Sequence, residues 1–381
     1  MHNPTTLYLD NAATTPLRPE ARAAMEPFLD AAFANASSLY ASAREARKGI
    51  EVAREQLAAA VGARPEEVVF TGSGTEADNL ALKGAAWHAR EQGRDGIVIG
   101  VTEHEAVAKT AEWLGRVGFR VRVVGVDGNG VVSLDELREA VDEKTAIVSV
   151  MWANNEVGTV QPVAEIADIA RSARALFHSD AVQALRFLPV DSSRADLTAF
   201  SAHKVGGPKG VGALIVRRGT KIQPLIHGGG QERGLRSSTY NVAGIIGFGA
   251  AVGAVAAERS SVVPSVEMLR DRLQAELCAR ITGVHVNGAG APRLAGHVNV
   301  SIEGIEGEPL ILLLDGAGVA ASSGSACQSG STEPSHVLVA MGVSRPLATS
   351  ALRLTLGTDT TEADVDRAVS AVADAVVRLR R

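Results

Sequence analysis

Seven short apolar runs, separated by amphipathic helical stretches, constrain the fold of this chain more than any other feature. The runs are residues 68–70, 96–99, 120–126, 146–151, 175–178, 196–200 and 212–216. Between several of them, residues 76–91, 104–117, 134–141 and 163–175 repeat apolar side chains at helical period. Strand, helix, strand repeated in this way predicts an α/β large domain with a mostly parallel seven-stranded sheet. Ligands of such sheets sit beyond the carboxyl ends of the strands. Residues that follow a run are therefore the first candidates for chemistry. The pattern changes after about residue 260. A helical stretch at 266–281, extended segments at 283–286 and 297–303, a helix near 308–317, a Gly/Ser-rich loop at 321–331, a strand at 351–356 and a closing helix at 362–380 predict a small α+β domain. We expect a large domain of residues 15–259, with residues 1–14 and 260–381 forming the small one.

Composition excludes several classes of function. Apolar residues make up 46% of the 381 and charged residues 21%, which suits a globular core. A net charge of −5 gives no basic excess, so direct nucleic-acid binding is not expected. Two cysteines, Cys278 and Cys327, make no disulfide framework and suit a reducing cytoplasm. Cys278 lies in an amphipathic helical run and reads as a buried, inert thiol. The first ten residues lack the pattern of a signal peptide. The longest uncharged run, 241–257, falls short of the roughly 20 apolar residues of a membrane span. It predicts a buried helix and no membrane partner. No His/Cys spacing suggests zinc, and no metal site is expected.

Three motifs carry chemistry. Thr71-Gly72-Ser73-Gly74-Thr75-Glu76 follows a predicted strand and opens a predicted helix. Glycines let the backbone approach an anion, and the first N–H groups of a helix bind phosphate. By itself such a motif is as consistent with a tight strand–helix turn. Asp180 ends another strand, where a lone acid is usually a turn or cap residue. Lys204 follows the strand ending at Phe200, 24 residues after Asp180, bracketed by His203 and glycines. A lysine at the end of a core strand is desolvated, which favours its neutral, nucleophilic form. Phosphate-binding helix start, acid and lysine in this order describe a pyridoxal-phosphate site: the lysine for the Schiff base, the acid for the ring nitrogen, the helix for the phosphate.

The chain also resembles the cysteine desulfurases, class V enzymes of the aminotransferase fold (PLP fold type I). The resemblance runs nearly end to end, through Tyr8-Leu9-Asp10-Asn11-Ala12-Ala13-Thr14-Thr15, Thr102-Glu103-His104, Asn154-Asn155-Glu156-Val157-Gly158, the His203-Lys204 segment, His227-Gly228-Gly229-Gly230-Gln231-Glu232-Arg233-Gly234, Ser322-Ser323-Gly324-Ser325-Ala326-Cys327 and Ala351-Leu352-Arg353-Leu354. It implies that Lys204 carries the cofactor, that Asp180 partners the ring nitrogen and that Gln183 bonds the phenolic oxygen. It makes His104 the ring-stacking histidine and an acid/base for the thiol protons. Gly74, Thr75, Ser201 and His203 become phosphate ligands. Thr239 would reach the phosphate of a neighbouring subunit, which implies a homodimer. Asn155 and Arg353 would hold the substrate carboxylate, and a planar guanidinium suits that task. Cys327 would take sulfur from L-cysteine as a persulfide.

The run from Ser322 to His336 resembles the extended-loop subgroup, which includes the iron–sulfur-cluster and nitrogen-fixation desulfurases. Its partners would be sulfur-acceptor proteins: iron–sulfur scaffolds, or enzymes of tRNA thiolation or DNA phosphorothioation. The chain departs from the family at Ser238, at Tyr240 and at Trp152, where Gly, a smaller residue and His are usual. A selenocysteine lyase or another class V enzyme shares the fold; relative turnover of cysteine and selenocysteine separates them. A non-catalytic binding relative would lack the lysine or the cysteine, and both are present.

Overall fold

The computed structural model describes residues 6–323 and 333–381. The first strand, β1 (Leu7–Tyr8), leads into two helices that the sequence pattern did not predict, α1 (Pro19–Leu29) and α2 (Ala41–Ala60). All seven apolar runs then become strands: β2 (Val68–Thr71), β3 (Gly96–Gly100), β4 (Arg120–Val124), β5 (Thr145–Ser149), β6 (Leu176–Asp180), β7 (Leu197–Ser201) and β8 (Gly212–Val216). They form one sheet in the order β2-β8-β7-β6-β5-β3-β4, in which β8 alone runs opposite to the other six. Helices α3 (Gly74–Arg90), α4 (Glu105–Arg116), α5 (Leu134–Ala140) and α6 (Val163–Ser172) fill the crossovers. Strands β3, β5, β7 and β8 are buried along their whole length, as strands covered on both faces must be. The edge strand β4 leaves Val123 exposed.

Helix α7 runs unbroken from Val242 to Arg280. The sequence pattern divided this stretch near residue 260, and Pro264 lies inside it. A proline removes one helical hydrogen bond; the helix nevertheless continues through it, and it packs against α1, α2 and α11. By length and composition α7 is apolar enough to cross a membrane, but half of its most apolar window is buried inside the protein, as in a core helix. Cys278, expected to be buried, is exposed on the last turns of α7.

A second sheet follows, built from β9 (Val284–Val286), β10 (His297–Ile302), β12 (Ser322–Ser323) and β13 (Ala351–Thr355) in the order β12-β13-β10-β9, all antiparallel. Helices α8 (Gly307–Gly316) and α11 (Glu362–Leu379) pack beside it, with α9 (His336–Ala340) and α10 (Arg345–Thr349) at its end. Strand β11 (Val319–Ala320) pairs in parallel with β1. The start of the chain is fastened further by Asn11 Nδ2, which donates to Thr355 O at 2.9 Å, and by Ala12 N–H, which donates to Thr355 Oγ1 at 2.9 Å. Residues 9–13 therefore lie between the second sheet and the carboxyl ends of the first.

Candidate active site

Nine of the predicted site residues line one cavity of about 220 Å³: Gly74, Thr75, His104, Asn155, Asp180, Gln183, Ser201, His203 and Lys204. It lies at the carboxyl ends of β2, β6 and β7 and at the start of α3, where strand-end loops of an open sheet converge. A larger hollow of about 750 Å³, lined by Trp87, Trp113 and Leu225, contains none of these residues.

The start of α3 is shaped for close approach. Ser73 caps the helix by accepting from Glu76 N–H at 3.0 Å. The first-turn donors of Gly74 and Thr75 then lie at the cavity wall, where a helix end favours an anion. A Cβ on Gly74 would come within 2.9 Å of Val182 Cγ2 and 3.2 Å of Ser201 Cβ. One on Gly212 of β8 would meet Ser73 C at 2.4 Å. Any side chain at 74 would crowd the cradle that a phosphate needs.

Asp180 ends β6, and its Oδ1 accepts from Val182 N–H at 2.8 Å. Burial pushes its carboxyl above the usual carboxylate range, while His104, the Val182 N–H and Lys204 pull it back. Two more acids lie buried nearby. Asp78, on α3, is held well above its ordinary value by burial and by the charges of Asp180 and Glu103. Glu103 is raised by burial, although its Oε1 accepts from Met151 N–H at 2.6 Å. His178, two residues before Asp180, shares a 2.8 Å bond with Ser149 Oγ, sits 3.4 Å from Asp78 Oδ1, and is lowered by burial to about 3. Burial thus favours the uncharged forms of Asp78, Glu103 and His178 around Asp180. A cation placed on the cavity side would favour the ionised form of Asp180, which is what a pyridinium nitrogen asks of its partner.

Lys204 closes a single 3-10 turn after β7. Its Nζ donates to Ala12 O at 2.5 Å and Ala13 O at 2.9 Å, and Gln183 Nε2 also donates to Ala12 O at 2.9 Å. His203 Nδ1 bonds Thr14 Oγ1 at 3.1 Å, and burial with two lysines lowers its value to about 4, so its ring is neutral. His104 caps α4 by accepting from Ala106 N–H on Nδ1 at 3.1 Å, which assigns the ring proton to Nε2. Arg353, on β13, does not line the cavity but reaches its edge: Nη1 donates to Asn155 O at 3.1 Å. Thr239 lies away from the cavity of its own chain, before α7. Cys327 lies outside the described residues.

Sequence reasoning missed Asp78, Asp10 and the carbonyls of Ala12 and Ala13. Asp78 had a readable signal: an acid on the apolar stripe of α3 between Gly74, Ala77, Ala81 and Leu82. Backbone carbonyls carry no such signal.

The donor set fits pyridoxal phosphate: a crowded glycine cradle at a helix start, a buried acid without a fixed counter-charge below it, and a lysine amine in the same cavity. Residues 7–368 match the family model of class-V aminotransferases. The chain is 46% identical over 376 residues to the cysteine desulfurase IscS of Methanosarcina thermophila, covering 98% of this chain and 93% of the relative. Among solved structures, a NifS-like protein superposes with a TM-score of 0.91 at 38% identity, covering 98% of this chain and all of that one. A structure described as SspA in complex with cysteine gives a TM-score of 0.81 at 33% identity, covering 93% and 100%. The chain belongs to the class-V aminotransferase family, as a pyridoxal-phosphate-dependent cysteine desulfurase.

Proposed function

We propose that this chain converts L-cysteine to L-alanine with the sulfur held as a persulfide on Cys327, and passes that sulfur to acceptor proteins. The observation that carries the reading is the convergence of Lys204, Asp180 and His104 in one cavity, with Arg353 at its edge through Asn155. The balance closes: the C–S bond of cysteine breaks, an S–S bond forms on Cys327, and the thiol proton is retained by the products. Alanine release from L-cysteine by the loaded protein tests it; no alanine would overturn it.

Bound pyridoxal phosphate supplies the electron sink that makes the Cα proton of cysteine acidic. The residues of the chain supply the rest. The first turn of α3, with Thr75, Ser201 and His203, would hold the phosphate. Asp180 would hold the proton of the ring nitrogen, and Gln183, whose Nε2 now donates to Ala12 O, would bond the phenolic oxygen. Lys204 Nζ would anchor the cofactor and, as a free amine, carry the Cα proton. His104, protonated on Nε2 and lining the cavity, would pack against the cofactor and relay thiol protons. Asn155 and Arg353 orient the substrate carboxylate, and the Cys327 thiolate attacks the substrate sulfur.

Asp180 gives a pH-dependent prediction. Its folded value is raised, so the cofactor-free protein keeps the stabilising proton below about pH 4 and loses that contribution as pH rises through the native value. A ring cation removes the loss. The melting-temperature gap between loaded and cofactor-free protein should therefore widen from acid to neutral pH. A gap independent of pH would contradict the assignment of Asp180.

The working unit in this reading is a homodimer in which Thr239 completes the phosphate site of its partner. Two observations support it: Thr239 lies away from its own cavity, and Phe33, Leu39 and Tyr40 are 82%, 83% and 56% exposed in a single chain. Sedimentation of the loaded protein should give twice the chain mass, and a stable monomer with full activity would exclude shared sites. Acceptors in keeping with the relatives are iron–sulfur scaffolds or enzymes that thio-modify nucleic acid. A reducing cytoplasm would keep the Cys327 thiol available between turnovers.

A further inference from the structure

Arg353 is 2% exposed. A guanidinium at that depth needs a counter-charge, because an unpaired buried ion is strongly unfavourable. Asp10 supplies it: Arg353 Nη2 donates to Asp10 Oδ1 at 2.8 Å. Arg353 Nη1 goes to Asn155 O, and Nε is buried with no hydrogen-bond partner among the described residues. The arginine thus has one carboxylate already and one donor still to satisfy.

Asp10 is itself fixed. Its backbone forms a bridge with Thr355, two residues along β13 from Arg353. Its carbonyl accepts from Tyr8 Oη at 3.0 Å and from Ala13 N–H at 3.0 Å. The next residues are those whose carbonyls take the amine of Lys204 and the amide of Gln183. One short stretch of chain therefore faces the cofactor lysine, a cofactor contact and the arginine.

We propose that Asp10 sets how strongly the site holds a substrate carboxylate. Resting on the reading that Arg353 binds that carboxylate, the argument is electrostatic. Asp10 keeps the guanidinium aimed and charge-balanced while the site is empty. An arriving carboxylate must share Arg353 with it, so two anions face one cation. Repulsion between them weakens the hold on any α-carboxylate, that of the product alanine included, and disfavours ligands with a second acid group. An arginine without this partner would grip alanine and slow its release.

The substitution Asp10→Asn separates charge from aim, because the amide oxygen still accepts from Arg353 while the charge is gone. Binding of labelled L-alanine to the loaded dimer, read by equilibrium dialysis, should tighten on the order of tenfold. Binding of cysteamine, which lacks the carboxylate, should not change. L-alanine should also raise the melting temperature of the variant more than that of the parent. Unchanged or weaker alanine binding in Asp10→Asn would overturn the proposal and leave Asp10 as a structural ion pair. Equal tightening for cysteamine would overturn it too. Asp10→Ser, with a shorter acceptor, repeats the test if Asp10→Asn does not fold. Arg353→Lys reports on the underlying reading separately: alanine affinity unaffected by that change means the carboxylate does not sit on Arg353 at all.

Discussion

Replacing Lys204 by Ala leaves a protein that binds pyridoxal phosphate without fixing it covalently. After borohydride reduction and denaturation, the parent should retain the cofactor on a peptide containing Lys204, and Lys204→Ala should release all of it. Alanine formation should fall on the order of 10⁴-fold, the upper range for loss of a positioned acid/base, because the amine both anchors the cofactor and carries the Cα proton. The fold should survive. Lys204 Nζ donates to the carbonyls of Ala12 and Ala13, and without it the start of the chain keeps its bonds to Thr355 and its pairing with β11. Retention of reducible cofactor on another lysine would contradict the assignment.

Cys327→Ser should have the opposite profile. The substitution leaves the described lining of the cavity, Lys204, Asp180 and His104 included, as it is, so cofactor loading and absorbance should match the parent. A hydroxyl is far less ionised than a thiol and a poorer nucleophile towards sulfur, so persulfide on the protein should disappear. Alanine release should fall by orders of magnitude, since no group takes the sulfur. Cys278 does not compensate: it lies on α7, which the cavity does not include, and Cys278→Ser should leave turnover intact. Normal sulfur transfer by Cys327→Ser would remove Cys327 from the reaction.

How much of this was legible in the residues depends on the kind of contact. The seven strands and the crossover helices were, because each has a local period and a buried face. Helices α1 and α2 were not. Along α2 the buried positions are chiefly alanines, Ala43, Ala46, Ala53 and Ala58, with Ile50 and Leu57, and alanines occupy exposed positions too, so the apolar contrast is weak. Helix α7 was divided where the uncharged run 241–257 ends and the pattern changes, although the helix continues through Pro264 to Arg280. In the site, Lys204 and Asp180 stood out by their places at strand ends, whereas His104 and Arg353 became candidates only through the family resemblance. Groups that act through backbone carbonyls were not readable, Ala12 and Ala13 above all. Asp10 lay in a quoted motif, but its partner is 343 residues away, and only the fold joins them.

The most direct test of the account follows the sulfur. Loaded protein is given one equivalent of L-cysteine, quenched with an alkylating agent, digested and examined by mass spectrometry while alanine is counted. The account predicts alanine in step with one extra sulfur on the peptide containing Cys327, and none on the peptide containing Cys278. Alanine formed with no sulfur on Cys327, or cysteine left unconsumed by protein that holds its cofactor, would contradict it.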